Sequence, residues 1–67
     1  MQELKTIQVD GKEHVVIIPK SWEYDLPTKL FQSRFADGEV ETAFASIKRL
    51  GTAKVAITGD GRKYLLA

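Results

Sequence analysis

Residues 36–51, ADGEVETAFASIKRLG, decide how the middle of this chain is built. Val40, Ala43, Phe44, Ile47 and Leu50 recur at the three-and-four spacing that lines one side of an α-helix. Asp37 suits an N-cap, where its carboxylate accepts from first-turn N–H groups. Glu39 and Glu41 lie in the first turn and Lys48 and Arg49 in the last, each set against the opposite pole of the helix dipole. Gly51 stands where a left-handed residue closes the helix. The spacing predicts a helix over 38–50. Phe44 falls on its buried side, and Phe44→Ala is expected to cost roughly 3–5 kcal/mol.

Just upstream, Pro27 fits a first helical turn, where a missing N–H costs nothing. Leu26, Leu30, Phe31 and Phe35 then form an apolar stripe, so a short helix is expected over 27–35. The competing reading is a strand over 29–35 that turns at Asp37-Gly38 into a second strand over 39–44. It sacrifices the well-capped helix and ranks second.

Both ends of the chain read as β-hairpins. Residues 4–9 and 13–18 flank Asp10-Gly11, a pair that favours the positive φ of a tight turn. A three-residue loop, with Ile7 opposite Val15, sorts their faces better than a two-residue loop, with Ile7 opposite His14. Residues 15–18, Val-Val-Ile-Ile, are apolar on both faces, as in a strand covered on both sides by this chain or by a second copy. At the other end, 53–58 and 62–67 pair about Asp60-Gly61, where a two-residue register sets Ile57 opposite Tyr64. The expected fold is one α+β domain of order ββααββ, its C-terminal part arranged like a winged helix.

Sixty-seven residues make a single small domain, and one this short buries only about 60% of its unfolded surface. It has no cysteine and one histidine, His14, so no disulfide or thiolate metal site is expected, and no cofactor. No stretch of about 18 apolar residues offers a membrane span. The opening MQELKTIQVD lacks the order of a secretory signal, which leads to a cytoplasmic expectation. Residues 1–26 carry three lysines against five carboxylates, a net −2; residues 42–67 carry five cations against Asp60 alone, a net +4. That C-terminal excess suits phosphates, although a solvated basic surface has the same composition.

No residue set names a reaction. Asp37 and Glu41 sit four apart, but a helix N-terminus accounts for both. His14 has only carboxylates for potential co-ligands, and no glycine cluster forms a phosphate loop. The chain is therefore expected not to be an enzyme. The order helix, turn, helix, hairpin is instead that of a DNA-binding winged helix-turn-helix. Thr42, Ala45, Ser46 and Arg49 share the polar face of the second helix; Arg49 would read a guanine or phosphate, and Lys48, Lys54, Arg62 and Lys63 would contact the backbone.

Two local resemblances point the same way. TGDGRKYLL, residues 58–66, is similar to the wing of small excisionase and MerR-like winged-helix proteins, with a Gly-Arg-x-Tyr return strand. VDGKEHVVIIPKSW, residues 9–22, resembles the start of AbrB- or MazE-type antitoxin and regulator domains, whose apolar strand ends in Ile-Pro-Lys. Each resemblance implies DNA binding, through different folds. The leading expectation is a transcription regulator that binds double-stranded DNA as a homodimer joined through 15–18. The alternative is a protein-interaction module, an inhibitor or adaptor, that presents Trp22, Tyr24, Val16 and Ile18 to a protein partner.

Overall fold

A computed structural model describes residues 2–67. It contains seven strands: β1 (Glu3–Val9), β2 (Lys12–Ile18), β3 (Ser21–Asp25), β4 (Leu30–Arg34), β5 (Val40–Leu50), β6 (Ala53–Thr58) and β7 (Lys63–Leu65). They form one sheet of order β1-β2-β7-β6-β5-β4-β3, antiparallel except where β2 runs parallel to β7. Among the described residues no helix is long and apolar enough to cross a membrane.

The two expected helices are strands, so the α+β, winged helix-turn-helix arrangement is overturned. Turn chemistry explains the change. Asp37 does not cap a helix; its Oδ1 accepts from the N–H of Glu39 (3.0 Å) inside a tight loop. Gly38 lies at φ +89°, and Phe35 closes the loop by donating to Glu39 O and accepting from Gly38 N, both at 3.0 Å. This is a three-residue hairpin loop with glycine in the left-handed position. Thr58–Arg62 repeats it: Thr58 N donates to Arg62 O, Gly61 N donates to Thr58 O, and Gly61 has φ +91°. The stretches FADGE and TGDGR are one turn used twice.

The loop lengths of the terminal hairpins are the reverse of those expected. Asp10 and Gly11 both have positive φ, which makes a two-residue turn with Ile7 opposite His14. The C-terminal hairpin takes the three-residue loop, so Tyr64 lies opposite Ala56 and Lys63 opposite Ile57. That one-residue shift turns Tyr64 to the other face of the sheet and into the core.

β5 organises the rest. Residues 40–44 pair with β4 on one edge, and residues 45–50 pair with β6 on the other. The sheet coils about this strand. β4 and β7 are three strand spacings apart, roughly 14 Å in a flat sheet; the rings of Phe31 and Tyr64 nevertheless lie 5.2 Å apart. The concave face holds Phe31, Phe35, Ala45, Ala56 and Tyr64, with Ile17, Tyr24, Ile47 and Leu66 packed against them. Val16 and Val55 are fully buried outside that cluster, and the register turns them to the opposite face. The β1–β2 hairpin bends toward that side: a Cβ on Gly51 would stand 3.2 Å from Val9 Cγ2. Gly51 itself keeps the left-handed conformation expected of it (φ +64°), but in the β5–β6 turn instead of a helix end.

Candidate nucleic-acid interface

Side chains alternate along β5, and the alternation sorts them by chemistry. Glu41, Ala43, Ala45 and Ile47 face the concave side. Val40, Thr42, Phe44, Ser46 and Lys48 face outward, on the convex side, all exposed. Phe44 is the extreme case at 68% exposed, with Leu30 of β4 directly beside it. The expected burial of Phe44 is thus corrected: in a strand its neighbours at i±1, not itself, enter the core.

A groove of about 360 Å³ runs along this outer face, lined by Lys29, Phe44, Ser46, Lys48, Ile57 and Thr58. Two ammonium groups and one aromatic ring border it, and none of its lining residues is a carboxylate. Lys29 is held at φ +61°, a conformation uncommon outside glycine, and its carbonyl accepts from Ala45 N (3.0 Å) where β4 leaves β5. At the far end of β5, Arg49 lies directly opposite Lys54, a like-charge pair that weakens a sheet unless an anion lies between them. Arg62 forms ion pairs with Glu41 and Asp60.

Behind this face stands a different cluster. The Tyr64 hydroxyl donates to Glu41 Oε1 (2.6 Å), whose other oxygen accepts from Gln2 Nε2 (2.7 Å). Burial, reinforced by the bond to Glu41, pushes the Tyr64 phenol up to about 12. Arg62 reaches Glu41 at 3.5 Å and Asp60 at 2.9 Å, and the Thr58 hydroxyl donates to Asp60, holding that carboxylate below its ordinary range. These contacts fasten the β6–β7 loop and Gln2 to β5.

No protein-family model, curated protein or solved structure matches the chain.

The residues singled out from the sequence separate accordingly. Thr42, Ser46 and Lys48 form one exposed row with Phe44. Arg49 and Lys54 fall on the opposite face at the strand end, Arg62 is tied to Glu41 and Asp60, and Lys63 is half-buried on β7. Of the set proposed for a protein partner, Val16 is fully buried, Ile18 is half-buried, and the Tyr24 hydroxyl donates to Ala45 O (2.9 Å). Trp22 remains 41% exposed, tilted against Phe31 at 6.2 Å. Sequence reasoning missed Lys29 and Phe44 as surface groups; the period-two placement of Thr42, Phe44, Ser46 and Lys48 was the available signal. Among the described residues, no three metal-ligating side chains come together.

Proposed function

We propose that this protein is a non-catalytic nucleic-acid-binding module that lays an unpaired strand across the convex face of β5. The observation that carries the reading is Phe44, exposed on a groove bordered by Lys29 and Lys48 and by no carboxylate. An exposed ring supplies a platform for a nucleobase, and flanking ammonium groups attract the phosphates on either side of it. Thr42 and Ser46 supply hydroxyls along the same row. A convex strand surface with one protruding ring favours unstacked bases over a duplex, whose bases are already stacked on one another. A cytoplasmic setting belongs to the same reading.

The test is an anisotropy titration of labelled single-stranded oligonucleotide, with duplex DNA and heparin as comparators. The single strand is expected to bind most tightly, with affinity falling steeply as salt is added. Phe44→Ala is expected to weaken it about tenfold or more, the usual worth of one stacked base. Lys29→Ala with Lys48→Ala should flatten the salt dependence. Absence of binding at low salt, or a Phe44→Ala protein that binds like the parent, overturns the proposal; so does heparin binding as tightly as the oligonucleotide.

A further inference from the structure

Among the stretches of strand edge without a ladder partner are the outer edge of β1, the outer edge of β3, and the β4-side edge of residues 46–50 in β5. Such edges pair with other chains unless their side chains forbid it. Charge distinguishes the three. β3 carries Glu23 and Asp25 with no cation, so two copies of it repel each other. Residues 46–50 carry Lys48 and Arg49 with no carboxylate, and repel likewise. β1 alone carries both signs, Glu3 and Lys5, two residues apart on one face with Leu4 between them on the other.

The geometry points to a homodimer formed by antiparallel pairing of β1 with β1 of a second copy. Hydrogen-bond parity permits it. In the two-residue β1–β2 hairpin the flanking pair, Val9 and Lys12, exchanges both of its bonds, so the main-chain groups of Leu4, Thr6 and Gln8 point outward. A twofold axis at Leu4 makes Leu4 face its own mate and sets each Glu3 opposite the other copy's Lys5. The same register draws together an exposed apolar patch, Leu4 at 62% and its diagonal neighbour Val15 at 55%. The contact is isologous and closes at two copies. It differs from the expected dimer through 15–18, because Ile17 in that stretch already pairs on both sides, with Leu4 of β1 and Tyr64 of β7.

Charge reversal tests the register. The parent protein should sediment with increasing mass as concentration rises, from 7.5 kDa toward twice that value. Lys5→Glu and Glu3→Lys, each at an exposed position, should each weaken self-association about tenfold or more. An equimolar mixture of the two variants should restore the dimer, since each edge then meets its opposite sign. Superimposable thermal melts of parent and variants confirm that folding is intact. A parent that stays monomeric, a Lys5→Glu protein that dimerises like the parent, or a mixture that fails to associate overturns the proposal. Open-ended assembly does so too, because it indicates the acidic β3 edge joining the basic β5 edge of the next copy. Nucleic-acid binding at Phe44 is read separately, on β5, with β2, β7 and β6 lying between it and these charges in the sheet, so either proposal can fail alone.

Discussion

Phe31→Ala is expected to leave the domain largely unfolded at ambient temperature. Phe31 is fully buried on the concave face, its ring 5.2 Å from Tyr64 and 6.2 Å from Trp22. Removing a buried phenylalanine costs roughly 3–5 kcal/mol, transfer and cavity terms together. A 67-residue domain has only about 3–10 kcal/mol of stability in total. Phe44→Ala provides the control, since an exposed ring loses only its cross-strand contact with Leu30, under about 1 kcal/mol. Thermal melts followed by circular dichroism and Trp22 emission check both. A cooperative parent-like melt for Phe31→Ala, or collapse of Phe44→Ala, would show that the two faces have been assigned the wrong way round.

The second large effect is alkaline. Tyr64 has its phenol raised from 10.0 to about 12 by burial and by donation to Glu41. The folded state therefore holds the proton more tightly than the unfolded chain. Its contribution is fully present below pH 10 and is lost as pH rises from 10 through about 12, on the order of 2–3 kcal/mol in all. Tyr64→Phe has no phenol to titrate. It should be less stable than the parent at neutral pH by roughly 1.5–3 kcal/mol, the worth of a hydrogen bond to a charged group. The gap between the two proteins should close between pH 10 and 12 in urea melts. A gap that stays constant across that window would show that Tyr64 ionises as freely folded as unfolded.

The strand bounds at both ends of the chain were legible, whereas the registers of the two hairpins and the middle of the chain were not, for physical reasons. Val15–Ile18 and Ala53–Thr58 are β-branched or tightly flanked by turn residues, and their strands lie within a residue or two of the expected bounds. In residues 36–51 the large apolar side chains, Val40, Phe44, Ile47 and Leu50, sit at helical spacing, whereas the alternating set that enters the core is Glu41, Ala43, Ala45 and Ile47. Only one of those four is a large hydrophobe, because the coiled sheet brings Phe31 and Tyr64 over β5 and leaves room for little else. Asp37 sent the same local signal for a cap as for a turn; comparison with Thr58–Arg62 separates the two, since both loops place Asp-Gly before the closing residue. The candidate site was half legible. Thr42 and Ser46, four apart, share a face on helix or strand, but Lys48 joins them only on a strand, where Arg49, one residue on, turns to the other face.

That β5 belongs to both halves of the molecule has a consequence for how this chain tolerates change in length. Its facing repeats every two residues, and no turn lies between Phe44 and Ser46 to absorb an error. One amino acid inserted there would put Ile47 into solvent and Ser46 in its place beside Ala56 and Tyr64, inverting half the domain, whereas two inserted together would restore the parity. Over evolutionary time, length variation should collect in the loop at residues 26–29 and spare this strand.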